Sequence, residues 1–191
     1  MHDWVTAAAR ERPGHPAIEA PDGVLKALYE ARDQKVTRAI GITCHAAPAA
    51  LKVALERHDF DCTQMALNAA RARMADGKGG MKATLMPEGG FEELALPVAV
   101  RKGMGVIAMK VFGQDQIVGA APIDKLLAYA LSLPVSLASL GMPKPEFIEG
   151  NIQLARAFTP MPEVERRRLT ESIAAERKVA LASFFRHHVD A

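Results

Sequence analysis

Gly105-Val106-Ile107-Ala108-Met109-Lys110-Val111 is an apolar, β-rich run of strand length, and three similar runs occupy residues 38–43, 62–67 and 134–140. Within these runs apolar and polar residues do not alternate strictly. Such a composition is typical of strands that are covered on both faces, as in parallel sheets. The four runs therefore predict four buried parallel strands.

The segments between the runs carry helical patterns, with apolar residues spaced three and four apart around residues 51–55 and 123–131. Pro48 and Pro145 fall in the first turns of two predicted helices, and Gly103 ends a third just before its strand. Strands that alternate with helices imply right-handed parallel crossovers. We therefore predict an α/β fold.

The interval between the second and third runs is unusually long. Residues 69–90 predict a long loop after a strand, on the face where parallel α/β folds place function, and so a candidate lid. Its glycine-rich stretch 76–80 lacks the GxxxxGK spacing of a phosphate-binding loop, which favours an ordinary mobile loop.

Two helices are predicted after the last strand, over residues 145–158 and 162–188. We assign residues 1–160 to the main domain and 161–191 to a charged tail helix packed on it or extending from it. The apolar residues of the tail are expected to face inward; they are Leu169, Ile173, Leu181, Phe184 and Phe185.

Composition excludes several classes of protein. The 191 residues are 49% hydrophobic and 24% charged, which indicates one soluble globular domain. The net charge of +2 is scattered, so no nucleic-acid partner is expected. No apolar run approaches the roughly 18 residues of a membrane span, and the first residues lack a signal-peptide pattern, so we expect a cytoplasmic protein without a membrane partner.

The two cysteines, Cys44 and Cys62, are too few for a disulfide framework or a four-ligand zinc site, and both are predicted to be buried thiols. Metal binding by Cys44-His45 or His187-His188 is disfavoured because adjacent side chains diverge. We therefore predict no metal site.

Several motifs occur in a defined order along the chain. They are DGVLKAL at 22–28, VTRAIGIT at 36–43, DCTQMALN at 61–68, KGMGVIAMK at 102–110 and EGN at 149–151. Together they resemble the C-terminal portion of the aldo-keto reductase family, in its bacterial branches. The resemblance implies a partial (β/α)8 TIM-type barrel of about strands four to eight, followed by C-terminal helices.

The resemblance also implies an activity. Members of the family reduce small carbonyl substrates by hydride transfer from NAD(P)H, while a tyrosine tuned by an aspartate, a lysine and a histidine donates the proton. His2 matches that histidine and is the candidate catalytic residue, whereas the other three have no counterpart here. The two tyrosines, Tyr29 and Tyr129, fall in helical patterns, so the chain alone is expected to be an inactive fragment.

The resemblance also implies a coenzyme, NADP or NAD, and more residues match the family's coenzyme contacts than match its catalytic residues. Thr43, Cys44 and Gln64 match residues that bind the nicotinamide carboxamide, and Met109 aligns with the aromatic residue under the ring. At the adenine end the matching residues are Lys144, at a helix N-terminus that favours phosphate, and Asn151. Phe147 stands where the family has an arginine selective for NADP. Alternatively, Lys144 is an ordinary surface residue.

A chain of 191 residues with a tail helix is too short for eight barrel strands. Free sheet edges and an uncovered apolar face predict self-association or binding to a complementary half barrel. The alternative function is a non-catalytic module that binds dinucleotide or protein. The predicted uncovered face comprises Ile40, Ile42, Met65, Leu67, Ile107, Met109, Val135 and Leu137.

Overall fold

The computed structural model describes residues 19–45, 47–75, 80–83, 89–113, 115 and 117–173. Four strands form a parallel sheet in the order β1-β2-β5-β6, and two others form a separate antiparallel ladder. The strands are β1 (Gly41–Cys44), β2 (Cys62–Ala66), β3 (Ala72–Ala75), β4 (Gly80–Ala83), β5 (Gly105–Met109) and β6 (Leu137–Ala138). All four strands of the parallel sheet lie within the predicted runs or one residue beyond them, and the α/β class is confirmed.

Helices precede, connect and follow the parallel strands. They are α1 (Val24–Asp33), α2 (Pro48–Arg57), α3 (Phe91–Leu94), α4 (Leu96–Arg101), α5 (Ile123–Leu131), α6 (Pro145–Arg156) and α7 (Glu163–Ser172). Pro48 and Pro145 stand in the first turns of α2 and α6, as predicted. Gly103 follows α4 with a φ of 65°, a left-handed conformation that glycine adopts without steric cost and that ends the helix before β5.

The interval predicted as a long loop contains regular structure. Strands β3 and β4 pair antiparallel within it, with Ala72 opposite Ala83. The glycine-rich stretch lies between these two strands, and its residues 76–79 are outside the described residues. Short strands with few β-branched residues carry little local signal, and antiparallel pairing across a glycine-rich connection is what forms them.

Side chains alternate between the two faces of the parallel sheet, and only one face is fully buried. In register, Ile42, Thr63 and Val106 share this face, and all are at most 3% exposed. The next row on the same face contains Cys44, Met65 and Ala108. These apolar side chains belong to one core cluster with the buried side of the helices, including Leu51, Leu55, Val98 and Leu126.

The opposite face, here called the open face, carries Thr43, Gln64, Ile107 and Leu137 in a single row. The first three side chains are half-buried and Leu137 is 54% exposed. The prediction that both faces are covered was therefore wrong. Four residues were also assigned to the uncovered face incorrectly, because the two-residue period of a strand places them on the helical side, where they are buried in the core: Ile40, Ile42, Met65 and Leu67. Met109, likewise predicted to be uncovered, is 4% exposed.

The topology identifies the architecture. Strands of the parallel sheet follow one another in chain order, without the reversal that defines a doubly wound sheet. Because the core lies on one face only, the helices form a single outer layer. A parallel sheet with this arrangement is a sector of a (β/α)8 barrel.

The two cysteines differ in burial. Cys44 is fully buried as predicted, whereas Cys62 is only half-buried, because it lies on the open face. The helix predicted over 162–188 ends at Ser172, because the backbone of Ile173 is extended. Ile173 is buried and Leu169 is partly buried, while residues 181–185 lie outside the described residues. Within the described ranges, every helix is too short or too polar to cross a membrane.

Candidate functional site

A cleft of about 460 Å³ lies at the carboxyl edge of the parallel sheet. This edge is where parallel α/β folds assemble their functional groups, because the loops after the strands converge there. The cleft is lined by His45, Gln64, Met109, Lys110, Val111, Phe112, Asp115, Ser139, Leu140, Gly141 and Pro143. It therefore combines residues that follow β1, β5 and β6 with Gln64 from β2.

Gln64 brings an amide to the cleft, and Thr43 is its register partner on β1. Both side chains lie on the open face. The Thr43 Oγ1 atom is buried and has no hydrogen-bond partner in the described part of the chain. A buried hydroxyl without a partner is rare, because leaving it unsatisfied costs about 1–3 kcal/mol.

Cys44 is placed elsewhere. Its side chain is on the helical face and fully buried, and its Sγ accepts a hydrogen bond from the Ala47 amide at 3.4 Å. The alternation of side chains along β1 separates Cys44 from Thr43, so the thiol does not reach the cleft. The family resemblance assigns both residues to the nicotinamide carboxamide.

Met109 is the last residue of β5, Lys110 directly follows it, and both line the cleft. The Met109 carbonyl accepts a hydrogen bond from the Leu67 amide at 3.1 Å, which extends the pairing of β2 and β5 by one step. Lys110 has a φ of 56° and therefore a left-handed backbone. Sequence reasoning gave no role to Lys110, His45 or Ser139; their position directly after or near a strand end was the signal available.

Lys144 and Asn151 do not line the cleft. Lys144 is the exposed N-cap of α6 and directly follows Pro143, a cleft residue, whereas Asn151 is half-buried one and a half turns into the helix. Their roles at the adenine end stay predictions. His2, the candidate catalytic residue, and His187-His188 lie outside the described residues.

Neither tyrosine is at the cleft. The Tyr29 hydroxyl accepts a hydrogen bond from the Asp59 amide at 3.0 Å, beneath the Arg32 guanidinium. Tyr129 is buried on α5 and donates a hydrogen bond to Glu92 at 2.7 Å. Burial, followed by the charge of Glu92, raises the pKa of Tyr129, which is opposite to the direction that a proton donor needs.

This buried phenol predicts a loss of stability at alkaline pH. The pKa of Tyr129 is raised above the ordinary value of 10.0, so the folded state disfavours the phenolate. Its contribution is complete below pH 10 and is lost as the pH rises further, because only the unfolded chain then ionises freely. We expect denaturant unfolding between about pH 8 and 11 to show this decline.

Tyr129→Phe is expected to flatten the alkaline decline while lowering stability at neutral pH, since Glu92 loses a hydrogen bond. Tyr29→Phe is the matched control because it removes the other tyrosine hydroxyl, whose hydrogen bond with the Asp59 amide is exposed. An equal alkaline decline in the Tyr129→Phe variant and the unsubstituted chain would contradict this assignment.

Metal binding finds no support in the site. Within the described ranges, no three His, Cys, Asp or Glu side chains are grouped so that they could hold a metal ion. The Cys44-His45 pair considered from the sequence is divided between the core and the cleft.

Comparisons with known proteins bear on the fold. No family model matches the sequence, and no curated protein matches it. The holo form of aldo-keto reductase AKR11C1 from Bacillus halodurans superposes with a TM-score of 0.59 at 16% identity, covering 84% of this chain and 60% of that chain. Its apo form gives a TM-score of 0.59 at 16% identity, covering 85% of this chain and 62% of that chain.

This chain thus spans about three-fifths of the length of those reductase chains. The match extends over most of the present sequence. The described residues have the fold of part of an aldo-keto reductase (β/α)8 barrel.

Proposed function

We propose that this chain supplies the nicotinamide-binding part of an NAD(P)H-dependent reductase that converts a small carbonyl compound to an alcohol by hydride transfer. The observation that carries the proposal is that Gln64 and Met109 line one cleft at the carboxyl edge of the sheet, with the unsatisfied Thr43 hydroxyl on the strand position that pairs with Gln64. The fold is that of a reductase barrel, and this edge is where such barrels place their sites.

The residues fit the coenzyme chemically. A glutamine amide both donates and accepts hydrogen bonds, as a nicotinamide carboxamide requires. Thr43 Oγ1 offers a further polar contact that nothing in the described part of the chain satisfies. Met109, an apolar and adaptable side chain, supplies packing area for a ring. When bound, the coenzyme supplies the hydride, while these residues bind and orient its nicotinamide.

The described part of the chain places no proton donor for this reaction at the cleft that corresponds to the family's tyrosine. Reduction of a carbonyl requires an acid at the developing alkoxide, and both tyrosines of the sequence lie on helices away from the cleft. We therefore expect the 191-residue chain by itself to bind coenzyme without turnover. The catalytic tyrosine would come from another part of the complete barrel, and His2 remains the proposed partner of the substrate oxygen.

Titration with NADPH and NADH, followed by coenzyme fluorescence, tests the proposal. Loss of one polar contact weakens binding by about 5- to 10-fold, so we expect this effect for Gln64→Ala. Gln153→Ala is the matched control because Gln153 is exposed on α6, away from the cleft, and its side chain donates a hydrogen bond to Glu149. Absence of binding to the unsubstituted chain would overturn the proposed function, and carbonyl-dependent oxidation of NADPH would overturn the expected inactivity.

The open face favours a second candidate, a non-catalytic module that recruits a protein. Within the described residues, β1 and β6 each pair on one side only. A free strand edge is a template for pairing with another chain. Failure to bind dinucleotide, together with stable association through this edge, would favour the module over the reductase.

A further inference from the structure

We propose that Lys110 binds an anionic oxygen group, a phosphate or a carboxylate, of the ligand that enters the cleft. The inference rests on the proposed function, because it assigns a further contact within the same site. It goes beyond that function in naming a charge that the ligand must carry beside its nicotinamide or carbonyl group.

The position of Lys110 supports this role. It directly follows β5 and lines the same cleft as Met109 and Gln64; the register partner of Gln64 is Ile107, three residues before Lys110. The residue is half-buried, so a group bound there is partly removed from water. Electrostatic attraction is stronger in such a site than at an open surface, because the effective dielectric constant is lower.

The charge of Lys110 is not used by the described part of the chain, where no ion pair or side-chain hydrogen bond of Lys110 is found. Other lysines are engaged: Lys125 pairs with Glu165, and Lys102 donates to the carbonyls of Leu55 and His58. Asp115 and His45 are the other titratable groups that line the cleft. Asp115 is exposed and forms no ion pair with Lys110.

The backbone of Lys110 gives an independent reason. Its φ of 56° is a left-handed conformation that strains a lysine and would suit glycine. The carbonyl of Lys110 accepts a hydrogen bond from the Gly113 amide at 2.8 Å, which closes a turn at the cleft. Residues in such sparsely populated conformations are concentrated at active sites and ligand-binding positions, where the surrounding structure holds them. An ammonium group with three donors suits phosphate and carboxylate oxygens.

Three variants separate charge from backbone strain. We expect Lys110→Met to weaken binding of the anionic ligand by about 10- to 100-fold and to reduce its dependence on salt. Lys110→Arg should retain most of the affinity. Lys110→Gly should weaken binding equally while raising the Tm, because the strain is relieved and the charge is lost.

Three probes identify the source of the anion. They are NADH, inorganic diphosphate, and pyruvate added to protein saturated with NAD, each monitored through the Met109 methyl NMR signal, assigned with Met109→Leu. Weaker NADH and diphosphate binding in Lys110→Met would identify the coenzyme phosphates. Weaker pyruvate binding with unchanged NADH binding would identify the substrate carboxylate.

The same probes distinguish the two proposals. Diphosphate binding that depends on Lys110, without NADH binding, would sustain the inference and overturn the proposed coenzyme site. Equal affinities of the unsubstituted and Lys110→Met proteins for all three probes would overturn the inference alone. Absence of binding by all three probes would overturn both.

Discussion

Replacing Leu126 with alanine is expected to lower the free energy of unfolding by about 2–5 kcal/mol. Leu126 is fully buried at the centre of α5, in the core cluster that joins the helices to the sheet. Removal of three carbon atoms there forfeits hydrophobic transfer energy and leaves a cavity that close-packed neighbours fill only in part. Urea unfolding followed by circular dichroism measures the change.

Ile148→Ala on α6 is the matched control. Its side chain is 48% exposed, so the truncation creates no cavity, and alanine is a good helix former. The control should change stability by less than about 0.5 kcal/mol. Similar losses in both variants would contradict the placement of the core on one face of the sheet.

The second large effect concerns assembly: we expect the 191-residue chain to associate with a second copy through its open face and free strand edges. Leu137 in the edge strand β6 is 54% exposed, and Ile107 beside it on β5 is half-buried. The apolar area left uncovered is smaller than the sequence predicted, because Ile42 and Met65 are already buried against the helices. Within the part of the chain that the structure describes, β1 and β6 each pair on one side only, and such strand edges add to the drive for association.

Light scattering at micromolar concentration should show twice the mass of one chain, and Leu137→Lys should shift the population toward one copy. Val164→Lys on α7 is the control, since Val164 is 57% exposed but lies on an outer helix. A compact single copy with a cooperative melt would refute this prediction. Association only with a separately supplied N-terminal barrel segment would identify a complementary half as the partner instead.

The strands and helix ends that were predicted correctly from the sequence depend on local residue patterns. The strands β1, β2 and β5 coincide with short apolar runs, and Pro48, Pro145 and Gly103 act through their own backbone restrictions. The hairpin of β3 and β4 was missed because its stability depends on pairing between segments of weak strand propensity.

Some residues of the candidate site were also identified from sequence motifs, and others were not. Gln64 and Met109 were found by motif, and the structure places both at one cleft. Cys44 shares its motif with Thr43 but not its face, and Lys110 belongs to a quoted motif without any sign that its charge is unpaired. Such differences arise because adjacent strand residues point in opposite directions.

The amino-acid sequence by itself determined the α/β class, the order of the four parallel strands and the helix starts at Pro48 and Pro145, since these follow from residue patterns over a few turns or strand positions. Only the tertiary structure decided which face of the sheet is buried, which of Thr43 and Cys44 lies on the open face, and that Gln64, Met109 and Lys110 meet at one edge. These outcomes depend on strand register and on packing between residues far apart in the chain, and no local pattern encodes them.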